Sequence, residues 1–182
     1  MNRPPVVIVG LGSPILSDDA VGLHVADRVR QLLAREPVDV RQAAVGGLGL
    51  LEEIAGYQAA LLVDASLAGL PPGTTRRLHL AEARHLQRLS YQHGISFEEA
   101  INVGRQCGMR VADPIIIYAI EVADAYTFSE ELTPPVEAVV EGVAIRVASE
   151  ARHLATQCRK AEGAGCLSAH ARVGTNPCTN PA

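Results

Sequence analysis

Residues 6–29, VVIVGLGSPILSDDAVGLHVADRV, decide the fold. Val6-Val-Ile-Val9 is an unbroken β-branched run, which suits a strand covered on both faces. Gly10 and Gly12 allow a sharp turn at its carboxyl end. Ser17, Asp18 and Asp19 fall just before or within a first helical turn. Val21, Val25 and Val29 follow at spacing four, and Leu32 and Leu33 continue the apolar face. Ligands of open α/β sheets bind outside the carboxyl ends of the strands. The loop predicted there offers carboxylates.

A dinucleotide site reads G-x-G-x-x-G and leaves the helix N-terminus free for a pyrophosphate. Here the third glycine position holds Ile15, and two acids lie where phosphate charge would approach. Asp39, placed near the end of the second strand, is the candidate ribose acid of that reading. A nucleotide- or flavin-binding α/β module is therefore the alternative to be tested, by titration with NAD or a flavin.

At 182 residues the chain has the length of one domain with a sizeable core. Aromatics are scarce and Trp is absent, so the core is expected to be aliphatic. The net charge of −4 argues against a general nucleic-acid binder. No apolar run approaches the roughly 20 residues that span a bilayer. The first strand follows directly on MNRPP with no signal-peptide core, so the expected location is the cytoplasm, away from membranes. Cys107, Cys158, Cys166 and Cys178 form no C-x-x-C and are expected to be reduced, incidental thiols.

Beyond the first helix, a strand is predicted over Val38 to Ala43. A glycine-bearing turn from Val45 to Leu50 leads into a short helix through Leu51, Ile54 and Ala55, which Gly56 would close as a left-handed cap. Ala59 to Ala65 reads as a strand that is apolar until Asp64. After the Leu70-Pro-Pro-Gly73 turn, Thr74 to Leu80 suits an edge strand protected by Arg76 and Arg77. Ala81 to Leu89 is weakly helical. Ser96-Phe-Glu-Glu99 is a capping box opening a helix through Ala100, Ile101 and Val103. Pro114 to Ile120, closed by Glu121, is the last strand. Thr133 as cap and Pro134 at the first position open a long helix with a stripe of Val136, Val139, Val140, Val143 and Val147. The alternation predicts an α/β fold: a mostly parallel, twisted sheet of about five strands with helices on both faces. The domain is expected to end near residue 155, with 156–182 a disordered or loosely attached tail.

Three ionisable side chains take functional positions in this layout. Asp19 opens the first helix, Asp64 ends the third strand, and His93 precedes a helix in a glycine-containing loop. Strands one and three are plausible neighbours, so their carboxyl-end loops can meet. Two carboxylates and an imidazole from separate loops suit a divalent metal or an acid-base cluster. Each also has an ordinary role: Asp18 or Asp19 at a helix N-terminus, Asp64 in a turn, His93 in a loop. Glu121 is a second-tier candidate. His24, His79, His85, His153 and His170 carry no motif. A nucleophilic enzyme is disfavoured, because no G-x-S-x-G elbow occurs.

With those residues placed, the chain resembles the hydrogenase maturation proteases, which trim the C-terminus of nickel-iron hydrogenase large subunits. The resemblance runs through Gly10-Leu-Gly-Ser-Pro-Ile-Leu-Ser-Asp-Asp-Ala-Val-Gly22, Val45 to Leu50, Val63-Asp-Ala65 with Gly69 to Gly73, Gln92-His-Gly94 and Leu132-Thr-Pro134. It covers roughly the first 150 residues, and several motifs in order are more specific than any one. The family pattern usually has Asn at the place of Ser13, and many relatives have Gly at that of Ala20. The resemblance implies that Asp19, Asp64 and His93 are the metal-contacting and catalytic residues of an aspartic-type endopeptidase. It implies as partner the large-subunit precursor, which supplies the nickel, with no organic cofactor. A monomer is expected. A relative that holds the precursor without cutting it, and a hydrolase with its own tightly held metal, are the remaining alternatives. Mass spectrometry of the precursor and elemental analysis of the protein discriminate them.

Overall fold

The computed structural model describes residues 3–83 and 95–170, with side chains through 161. Five strands form one sheet: β1 (Val6–Leu11), β2 (Val38–Ala43), β3 (Ala59–Ser66), β4 (Thr75–His79) and β5 (Ile115–Glu121). Their order is β2-β1-β3-β5-β4. The first four strands in that order run parallel, and β4 closes the edge antiparallel to β5. This is the α/β architecture expected from the apolar runs. Every residue of β1 and β5 is buried, as parallel strands covered on both faces must be.

Among the described residues, four α-helices cover the two faces. α1 (Val21–Leu32) and α4 (Pro134–His170) lie on one face, where Val21, Val25, Val29, Val143 and Val147 pack on Ile8, Leu61 and Ile116. α2 (Gly47–Ile54) and α3 (Phe97–Gln106) lie on the other, where Leu50, Ile54, Phe97 and Ile101 pack on Val7, Leu62 and Ile117. Period-two alternation along each strand divides its side chains between these two cores. The core is mainly aliphatic, but Tyr57 and Phe97 are fully buried within it.

Close contact at Gly10 and Gly22 seats α1 on the sheet. A Cβ at Gly22 would stand 2.2 Å from the Leu11 carbonyl oxygen and 2.4 Å from that of Val63. One at Gly10 would stand 2.1 Å from the Gly22 carbonyl oxygen. Only glycines let helix and strand backbones approach so closely.

Several local expectations need correction. The strand expected over Ala59 to Ala65 continues one residue further, through Ser66, which pairs with Glu121. Gly56 does take a left-handed φ of +84°, but α2 has already ended, because Ala55 is extended and bridges Val111. Val103 is exposed; the buried face of α3 is Phe97, Ala100, Ile101 and Gly104. Residue 155 is not an element boundary, since α4 runs to His170 and Cys158 packs against the core. The weakly helical stretch after Leu80 is a short 3-10 turn over Leu80–Glu82. The rest of that stretch, and the tail after residue 170, lie outside the described residues.

Candidate active site

The sheet order reverses direction at β1. The chain passes from β1 to β2 on one side and then crosses to β3 on the other. The β1 and β3 carboxyl ends thus form the crevice where such sheets bind ligands. β1 and β3 are parallel neighbours with Gly10 opposite Val63. Asp64 follows at the next position of β3, and the loop leading to Asp19 leaves β1 there. The 3-10 turn Ser17–Ala20, which carries Asp18 and Asp19, packs against β3.

The two adjacent acids have separate environments in the structure. Asp18 is completely buried. Its Oδ2 accepts from Ala123 N at 3.0 Å, Asp124 N at 3.1 Å and the Thr133 hydroxyl at 2.8 Å, and its Oδ1 accepts from Thr133 N at 2.6 Å. It thus fastens the β1–α1 turn to the loop between β5 and α4. The hydroxyl expected to cap α4 is the one that donates to Asp18. Asp19 is partly exposed, and its Oδ2 accepts from Ser13 N at 2.7 Å. Ser17 holds a positive φ of 39°, rare outside glycine. Its N–H donates to Ser129 O at 2.8 Å and its hydroxyl to Glu131 O at 3.2 Å. Backbone strain of this kind persists where the surroundings over-determine it.

Asp64 is 1 % exposed, and its Oδ1 accepts from Ala65 N at 3.0 Å. Cross-strand partners point to one face, so the pairs Asp64–Ala119, Ser66–Glu121 and Arg76–Ala119 gather four polar side chains on the α2–α3 face. Arg76 Nη2 donates to the Ser66 hydroxyl at 3.0 Å. Glu121 Oε1 accepts from Gly69 N at 2.6 Å and Leu70 N at 3.0 Å, which fixes the β3–β4 loop over the site. Its Oε2 is buried without a hydrogen-bond partner among the described residues. Ser66 escaped the sequence reading, and Arg76 entered it only as an edge protector. Ser66 stands two residues beyond Asp64, the spacing that shares a strand face, and that signal could have found it.

His93 lies outside the described residues. Among the described residues no group of three or more His, Cys, Asp and Glu is placed to hold a metal ion. Asp19 and Asp64 therefore supply at most two carboxylates to one crevice, enough to add ligands to a cation or to move a proton. Asp39 does not reach it. It is the second residue of β2, opposite Val7 at the amino end of the sheet, and it accepts a hydrogen bond from the Tyr57 hydroxyl. No described helix is long and apolar enough to cross a membrane.

No protein-family model matches the sequence, and no curated protein matches it. Solved structures do resemble it. The hydrogenase maturating endopeptidase HybD from E. coli aligns with a TM-score of 0.67 at 19% identity, over 81% of this chain and 92% of that one. The [NiFe] hydrogenase maturation protease HycI from Thermococcus kodakarensis gives 0.62 at 21% identity, over 81% and 92%. The hydrogenase 2 maturation peptidase from Thaumarchaeota archaeon SCGC_AB-539-E09 gives 0.57 at 18% identity, over 80% and 96%. The chain has the fold of the hydrogenase maturation endopeptidases.

Proposed function

We propose that this protein is a hydrogenase maturation endopeptidase that recognises nickel in the large-subunit precursor and removes its C-terminal peptide. One observation carries the reading. In the fold shared with those endopeptidases, buried Asp64 and the turn bearing Asp19 meet at the β1–β3 crevice. His93 is proposed as the third ligand on the strength of the motif resemblance.

Two carboxylates and one imidazole are too few, and too hard, to take nickel from the thiolates of a partner. They can complete a coordination sphere that another chain presents. The nickel is thus part of the substrate, and docking on it fixes the scissile bond relative to the carboxylates. A water oxygen then bonds to the scissile carbonyl carbon, the C–N bond breaks, and one carboxylate carries a water proton to the leaving amine. The protein is read as a cytoplasmic monomer with no organic cofactor.

The test is processing of nickel-loaded precursor, followed by mass spectrometry. Asp64→Asn is expected to slow cleavage by roughly 100-fold or more, the scale of a lost general base. Undiminished cleavage would remove Asp64 from the mechanism.

A further inference from the structure

Resting on that function, we propose that Ile15, Tyr126 and Phe128, with the acidic groove beside them, form a docking surface for a segment of the precursor that carries Lys or Arg among apolar residues. Ile15 is 50 % exposed, Tyr126 69 % and Phe128 80 %. Large apolar side chains this open to water mark protein contacts when they cluster, and aromatic residues dominate the energetics of such contacts. The segments that carry them are neighbours. Ser129 N donates to Ile15 O at 3.2 Å, and Ser17 N donates to Ser129 O at 2.8 Å, so the two loops run side by side. The Asp124 carboxylate accepts from the N–H groups of Tyr126 and Thr127, both at 3.0 Å, which fixes the loop in the presenting conformation. Preorganisation of that kind lowers the entropy cost of binding.

The charge of the occupant follows from the neighbouring groove. It has a volume of about 500 Å³ and is lined by His24, Glu130, Glu131, Leu132, Glu137 and Val140. Among the described residues Glu130, Glu131 and Glu137 make no ion pair. Unpaired carboxylates beside exposed aromatics complement a cationic, apolar chain. A lone cation fits less well, because no described trio of ligands is placed to hold one. The patch also adjoins the candidate site. The Ser17 hydroxyl donates to Glu131 O, two residues before Asp19, so a chain seated here is led to the crevice.

The experiment measures steady-state cleavage of nickel-loaded large-subunit precursor from the same organism. Tyr126→Ser with Phe128→Ser is expected to raise KM about 30-fold with kcat unchanged, the loss of one good anchor. Glu130→Gln with Glu131→Gln is expected to flatten the salt dependence of kcat/KM. Retained KM in the first pair overturns the proposal. Should that pair fail to fold, Ile15→Ser alone must raise KM, and Phe128→Leu must keep most of the wild-type affinity. If the wild type neither binds nor cleaves precursor, the function reading fails by itself. The surface is then judged with a peptide alternating Arg and Leu: binding that the double variants lose supports it, and no binding overturns it. A dimer in sedimentation that Tyr126→Ser with Phe128→Ser dissolves overturns it in favour of a second copy of this chain.

Discussion

Asp18 and Asp19 are neighbours with opposite environments. Asp18 receives three backbone N–H groups and a hydroxyl from residues more than a hundred positions away, and no part of it reaches solvent. Removing a buried charged acceptor leaves all four donors unmet. Asp18→Ala is therefore expected to cost about 3 kcal/mol of stability, read from denaturant midpoints at constant slope. Asp19→Asn keeps the shape of a partly exposed residue and is expected to change stability by less than about 0.5 kcal/mol. A combined stability and cleavage assay separates the two, since Asp19→Asn is expected to lose processing while remaining folded. The motif makes both acids legible as a pair. The family resemblance singles out Asp19, but the structural role of Asp18 is not legible, because it is made by Ala123, Asp124 and Thr133, and sequence does not show where a distant loop will lie.

At the scale of elements, β4 and α4 are joined by a small polar network. Arg77 Nη2 pairs with Glu150 Oε1 at 2.6 Å, and the Tyr118 hydroxyl donates to Glu150 Oε2 at 2.6 Å. Burial opposes the Glu150 charge, yet hydrogen bonds from Arg77 and Tyr118 prevail and hold its carboxyl below the usual range. Burial, then the bond to Glu150, pushes the Tyr118 hydroxyl up. A carboxyl depressed on folding stabilises the native state above its unfolded pKa, near about 4.3 for Glu, and loses that contribution as pH falls through the folded value. Glu150→Gln is thus expected to lower Tm at pH 7 and to approach the wild type below about pH 4. Thermal scans over that range check it; a deficit that persists at low pH would refute the linkage. Arg77 was legible as an edge protector, though not its partner on α4. The continuation of α4 was misread for a related reason. Thr156, Gln157, Arg159 and Lys160 look like a tail, yet a helix needs only one buried side, and Ala151, Leu154, Ala155 and Cys158 supply it at helical spacing.

For the whole molecule, the polarity of the sheet bears on the choice between the proposed enzyme and the nucleotide-binding alternative. Four parallel strands place all their carboxyl ends at one rim, and the order reversal at β1 opens the crevice there. The apolar runs and glycine turns made this arrangement readable, including the β1–β3 neighbourhood, because buried parallel strands must be both short and continuously apolar. The predicted start of β2 at Val38 is the observed one, and it already sets Asp39 near the amino end of that strand, away from the crevice. In the structure Asp39 stands at the amino end, engaged by Tyr57, whose hydroxyl burial and Asp39 push up. Arg3 lies 3.9 Å from the centre of the same ring. A dinucleotide seated at the crevice would find no ribose acid on β2 and would bring its pyrophosphate to Asp18 and Asp19. Like charge at that distance is repulsive, and Asp18 cannot turn aside without releasing its four donors. Millimolar NAD or FMN is therefore expected to leave Tm unchanged within about 1 °C, because a ligand stabilises a fold only through binding to it. A saturable, concentration-dependent rise in Tm would return the nucleotide reading to the first place.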